Sequence, residues 1–351
     1  MPSCISGPAK AALDALNPQQ IAFLQSLPKA ELHAHLNGSI PIDVLEELLQ
    51  DYTPLTPASL DKISIQKAID HFRTGPSLER IGDFFLLFRA IYALTSNTPA
   101  LKRVTRAVLS DFLDGDAPQC HYLELRTGPR QTPSMTREEY MLAVLDEVER
   151  YDEDRAGLIM TLDRKTGEET WRECLDIALK LKEAGRRLVG VDLAGDPFAA
   201  DVTSFQTFFA EARAAGLGVT LHIAETIHNT REETLKLLSY RPQRLGHATF
   251  LDDEAIHIAL GDNICIEICL SSNLLCKTVK GLESHHIRHY LAHKHPIAIC
   301  TDDTLPFRTS LLGEYALLLA PAPLGLGLTE DEVREIAGMS MNCRFKIPKS
   351  Q

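Results

Sequence analysis

Eight short apolar runs, each followed by a charged stretch with helical spacing, limit what this chain can fold into. They fall at 30–35, 120–126, 158–163, 187–193, 217–223, 244–247, 264–270 and 297–301. Most are rich in Val, Ile or Leu, as strands covered on both faces must be. Between them, 168–183, 204–215 and 232–238 place apolar residues three and four apart, the spacing of helices with one buried face. Eight such units predict a closed (β/α)8 barrel of the TIM type. An open doubly wound sheet is the competing arrangement, but no glycine-rich dinucleotide turn follows the first run. The 351 residues suit one such barrel or two medium domains; no repeat, low-complexity tract or Gly/Ser linker divides them, so 1–351 reads as a single domain.

The rhythm breaks once. More than eighty residues separate the first two runs, and they carry helical patterns at 83–94 and 101–112. In a barrel, this 37–119 insertion leaves from the C-terminal face, where it can fold over the mouth as a lid or pack to one side. The leader reads as one amphipathic helix at 18–27 behind a mobile tail.

Charge excludes whole classes of partner. With 36 basic and 48 acidic side chains the formal charge is −12, which argues against nucleic acid or an anionic membrane as partner. No run approaches the ~20 apolar residues of a membrane span, and the start lacks the basic and apolar pattern of a secretory signal. Eight scattered cysteines without a CxxC pair read as buried thiols in a reducing compartment, the cytosol.

Chemistry concentrates at the ends of the runs. The first ends His33-Ala34-His35, and strand alternation puts both imidazoles on one face. The fifth carries His222 with Glu225 after it, the sixth ends at His247, and the eighth leads into Asp302-Asp303. A barrel gathers these ends around one axis, so His33, His35, His222 and Asp302 can converge on a single cation. Three imidazoles and a carboxylate favour zinc, one ion per chain, and also admit iron, cobalt or manganese. Glu225 and His247 then remain as acid and base groups beside it, an arrangement suited to metal-assisted hydrolysis. Two other clusters read as structural: the tract His285, His286, His289, His293 and His295 as a solvated helix, and Cys265 and Cys269 as core packing of a strand.

Residues 28–39, Pro-Lys-Ala-Glu-Leu-His-Ala-His-Leu-Asn-Gly-Ser, resemble the adenosine deaminase family, as do His222-Ile223-Ala224-Glu225, Gly246-His247, Thr301-Asp302-Asp303 and the 191–196 stretch. The resemblance implies a zinc-dependent barrel hydrolase that replaces the 6-amino group of a purine with oxygen. By position, His33, His35, His222 and Asp302 match the metal ligands, with Asp302 also in the catalytic set. Glu225 matches the acid that protonates N1, and His247 the group that orients the attacking water and stabilises charge. Asp303 matches the contact to N7 and Gly195 the backbone contact to N3.

Asn37 stands where adenosine-directed members carry an Asp near the ribose 5′ oxygen. If that oxygen bore a phosphate, a carboxylate about 4 Å away would repel it by about 4 kcal/mol at an effective dielectric of about 20. That is about three decades of affinity. The stretch Thr127-Gly128-Pro129-Arg130 resembles a segment of the adenosine deaminase-like branch, whose members act on N6-methyl-AMP. It offers a hydroxyl, an amide donor and a guanidinium fork. The substrate set that the resemblance implies is therefore His35, Asn37, Thr127, Gly128, Pro129, Arg130, Asp163, Gly195 and Asp303. Two positions depart from the branch: Gly128, where Thr is commoner, and Tyr92, where others carry a His. The expected reaction is N6-methyl-AMP and water to IMP and methylamine, carried out by a monomer on a small purine nucleotide. The alternatives are a deaminase of unphosphorylated adenosine and a catalytically inactive nucleotide-binding protein.

Overall fold

The computed structural model describes residues 5–54, 59–75, 81–196 and 205–345. Eight strands form one sheet: β1 (Ala30–His35), β2 (Tyr122–Thr127), β3 (Ala156–Asp163), β4 (Leu188–Ala194), β5 (Gly218–Ile223), β6 (Arg244–His247), β7 (Cys265–Ile268) and β8 (Ile297–Ile299). They lie in sequential order, and each pairs in parallel with the next. Helices connect them, so the fold is the expected (β/α)8 barrel. Strand limits agree with the apolar runs to within two residues at every end. The seventh run shows why they differ at all: Leu270 already begins a short helix, Leu270–Leu275, and β7 stops at Ile268.

β8 and β1 close the ring without a long ladder. A parallel bridge joins Ala34 to Asp302. The Asp302 amide donates to the His33 carbonyl at 2.9 Å, and the His35 amide to the Asp302 carbonyl at 3.0 Å. Glu31 adds a side-chain tie across the seam, its carboxylate accepting from the amides of His33 at 2.7 Å and Thr301 at 2.9 Å. The dry interior makes these bonds costly to leave unmade.

The insertion between β1 and β2 carries the helices Ile42–Asp51, Lys62–Thr74, Ile81–Leu94 and Thr98–Leu113. The last shows how sequence sets such an element: Asn97 caps it through the Ala100 amide, Pro99 sits in its first turn, and Leu101, Val104, Val108, Leu109 and Phe112 form its buried stripe.

Two sequence expectations are corrected here. The leader holds a second helix, Gly7–Asp14, where a mobile tail was expected, ahead of Pro18–Ser26. It buries Ala9 and Ala12, and Ala9 packs so tightly on Gly313 of the helix Leu311–Leu319 that a Cβ there would lie 2.9 Å from it. The histidine tract is no solvated helix. The helix there is only Ile287–Ala292, His285 precedes it buried against Asn273, and His295 is buried with Nε2 2.6 Å from the Ile264 carbonyl oxygen. Buried donors and acceptors need partners, and these imidazoles have found them. Cys265 and Cys269 are core residues, as expected, but only Cys265 lies in the strand; Cys269 follows β7 and precedes the helix Leu270–Leu275. No described helix is long and apolar enough to cross a membrane. Residues 1–4 of the leader and residue 204 of the helical pattern at 204–215 lie outside the described residues.

Candidate active site

β1 ends the way a donor site requires, with His33 and His35 separated by one residue that faces the other way. At the mouth, the Nε2 atoms of His33 and His222 lie 3.1 Å apart, and those of His35 and His222 3.2 Å apart. Asp302 Oδ1 lies 3.7 Å from His33 Nε2 and 3.4 Å from His35 Nε2. The Nε2 atoms of His33, His35 and His222 thus crowd together with Asp302 Oδ1 beside the first two, so side chains from three distant segments meet at the mouth. The backbone is strained there: Ala224, His247, Ala248 and Asp302 all have positive φ, between 46° and 63°. Left-handed conformations of non-glycine residues persist where the surrounding structure imposes them, typically at functional sites.

The opposite ring nitrogens explain why the Nε2 atoms can face one another. His33 Nδ1 is 2.6 Å from Glu267 Oε2, and His222 Nδ1 is 3.1 Å from Asp192 Oδ1. A carboxylate at Nδ1 fixes the proton there and leaves the Nε2 lone pair free. Burial drives His33 well below the usual imidazole range and His35 down to about 3. His222 is raised, because the charge and hydrogen bond of Asp192 outweigh its burial. Nitrogens packed this closely need either a shared proton or a cation between them, and the N3O donor set fits a borderline-soft divalent ion. The His/Asp cluster could hold a metal.

Around this point stand groups with free capacity. His247 Nε2 is 3.9 Å from Glu225 Oε1 and 4.0 Å from Asp302 Oδ2, while its Nδ1 is buried without a partner among the described residues. Asp303 lies against Gly38, where any Cβ would fall 1.5 Å from its Oδ1, so only glycine allows the approach. That Oδ1 also lacks a partner among the described residues. Burial first, then Asp302 and Glu225, hold the Asp303 carboxyl well above the usual carboxylate range.

A second group lines the β2 side. Asn37 Nδ2 donates to the Tyr140 hydroxyl at 3.4 Å, and that hydroxyl lies 2.7 Å from Thr127 Oγ1. Asn37 Oδ1 is buried and unpartnered among the described residues. Gly128 and Pro129 lead away from Thr127, and a Cβ on Gly128 would meet the Thr161 carbonyl at 3.3 Å. Arg130 stacks on Tyr92 at 4.3 Å and donates to the Tyr92 carbonyl and to Thr95 Oγ1, so it ties this turn to the insertion. Gly195, with φ +101°, follows β4 and faces Asp163, whose Oδ1 accepts from the Lys165 amide at 2.9 Å.

The sequence reading missed three participants. Asp192 and Glu267 are carboxylates within otherwise apolar strands, a signal that was legible. Tyr140 reads as an ordinary core position of the helix Arg137–Val148 and announces nothing.

Comparison with known proteins settles the family. The adenosine deaminase family model matches residues 28–350. The chain belongs to the adenosine deaminase family. It is therefore a hydrolytic deaminase, of a family that is typically metal-dependent. An Arabidopsis thaliana protein named N6-mAMP deaminase is 33% identical over 92% of this chain and 94% of its own length. A crystal structure of the arabidopsis N6-mAMP deaminase superposes with a TM-score of 0.82 at 31% identity, covering 93% of this chain and 96% of that one. Arabidopsis ADAL complexed with IMP gives a TM-score of 0.80 at 30% identity, covering 93% and 94%.

Proposed function

We propose that the chain hydrolyses N6-methyl-AMP to IMP and methylamine at a zinc centre held by His33, His35, His222 and Asp302. The observation that carries the substrate is Asn37. Its amide shares the Tyr140 hydroxyl with Thr127, so neutral hydrogen-bonding groups stand where a carboxylate would repel a 5′-phosphate. The similar proteins named for N6-methyl-AMP, and the IMP complex of one structural neighbour, support the same choice.

When bound, zinc supplies Lewis acidity that makes water a competent nucleophile near neutral pH. The remaining work falls to side chains. Glu225 gives a proton to N1, which makes C6 electrophilic and stabilises charge that develops only as the ring loses aromaticity. His247 orients the attacking water and accepts its proton. Asp303 holds N7, and the Gly195 amide holds N3. The water oxygen joins C6 as the C6–N6 bond breaks. One water proton passes through His247 to the departing methylamine, and the other restores Glu225, whose own proton stays on N1. Thr127, Gly128, Pro129 and Arg130 take the phosphate with Asn37, while Asp163 and His35 border the nucleotide. The 37–119 insertion acts as a lid, joined to the phosphate side through Arg130 and Tyr92. A reducing cytosol suits seven described cysteines that are all free.

Steady-state kinetics with N6-methyl-AMP, AMP and adenosine test the assignment. The highest kcat/KM is expected for N6-methyl-AMP, and faster turnover of adenosine would overturn it.

A further inference from the structure

Arg126 lies in β2 one residue before the Thr127–Arg130 stretch, yet its side chain turns inward. It is fully buried beneath the histidines. Its Nη2 donates to Glu267 Oε2 at 2.8 Å and to the Leu32 carbonyl, and its Nη1 to Asp192 Oδ2 at 3.3 Å. These are the two carboxylates that accept from His33 Nδ1 and His222 Nδ1. We infer that Arg126 is a positioning residue for the metal site: one guanidinium that holds both carboxylates through which two ligating imidazoles are oriented.

The argument is geometric. Glu267 comes from β7 and Asp192 from β4, on different sides of the barrel, and Arg126 spans the interior between them. A planar fork of donors can satisfy two carboxylates at fixed angles, whereas an ammonium is a single point. Neither carboxylate can swing to find another partner, because each is fully buried in its strand. The two arms are unequal. Glu267 has a second cation, Arg244, whose Nε donates to its Oε1 at 2.7 Å. Among the described residues Arg126 is the only guanidinium bonded to Asp192, which otherwise receives the Thr161 hydroxyl at 3.3 Å. Loss of the fork should therefore disturb His222 more than His33. The Leu32 contact adds a third effect, since it fixes the β1 backbone one residue before His33.

The inference rests on the metal reading above, and its test separates the two. Metal-free protein is titrated with zinc against a chromophoric chelator, and the cobalt-loaded form is examined by visible absorption. Arg126→Lys keeps the charge and loses the fork, and is expected to weaken zinc binding 10- to 100-fold, as changes to groups that orient metal ligands do. The cobalt bands should shift with it. Asp192→Asn retains an oxygen for His222 and removes the oxygen that accepts from Arg126 and from the Thr161 hydroxyl, so it should move both readouts in the same direction. Arg244→Lys serves as comparison, because Glu267 keeps its Arg126 bond and Asp192 is not touched, and should shift the cobalt bands and zinc affinity less than Arg126→Lys does.

Zinc affinity within twofold of wild type for Arg126→Lys, with unchanged cobalt bands, would overturn the inference. So would an equal loss in Arg244→Lys, which would make the effect a general consequence of disturbing the buried network. If Arg126→Lys does not fold, unchanged affinity in Asp192→Asn overturns the inference by itself. A wild-type chain that binds no metal overturns the metal reading and this inference with it.

Discussion

The floor of the site and its β2 side are built on opposite terms. On the floor, His33, His222, Asp192, Glu267 and Arg126 all come from regular strands and are buried, and every one of them is bonded to another of the group. On the β2 side, Asn37 and the 128–130 turn sit in loops, Arg130 is bonded to the insertion, and Asn37 Oδ1 has no partner among the described residues. A strand ladder can hold an ion's ligands to within tenths of an ångström without adjustment. Loops can change which phosphate or sugar they meet without disturbing that geometry. Under the proposed function, the first region would carry the chemistry and the second the choice of substrate.

That division can be broken by experiment. Glu225→Gln should cut kcat by a factor of ~10² to 10⁴ for nucleotide and nucleoside alike, as expected for a lost general acid. Metal content should not change; metal loss measured by atomic absorption would make Glu225 a ligand instead. Asn37→Asp should act on one side only. It should raise KM for the nucleotide by about 10³, from the repulsion of about 4 kcal/mol between carboxylate and phosphate, and leave the nucleoside nearly untouched. Equal effects on the two would place the phosphate elsewhere. The smallest effect belongs to Tyr140→Phe, which removes the hydroxyl shared by Asn37 and Thr127. A neutral hydrogen bond contributes about 1 kcal/mol, so nucleotide KM should rise about fivefold with kcat preserved. A fall in kcat with KM unchanged would show that Tyr140 serves the floor.

How much of this was readable before the fold depends on whether a residue's role is local. The strands were, because burial on both faces writes an apolar run into each of them. The meeting of His33, His35, His222 and Asp302 was, because a barrel brings strand ends together whatever lies between. The helix Gly7–Asp14 was not: it has eight residues, too few to be stable alone, and exists through packing on Leu311–Leu319. Nor were the partners of His285 and His295, which are the side chain of Asn273 and the carbonyl of Ile264, set by tertiary contact. Tyr140 was hidden for a related reason, since a buried aromatic on a helix looks the same whether its hydroxyl is idle or shared.

The seam between β1 and β8 has a consequence for how such a molecule can change. The same few amide bonds that shut the cylinder run through His33, His35 and Asp302. An insertion or deletion just after β8 would therefore open the wall and scatter the donors in one stroke. Length changes are tolerable only in segments that leave this join alone, and the site is complete only once the last strand docks against the first.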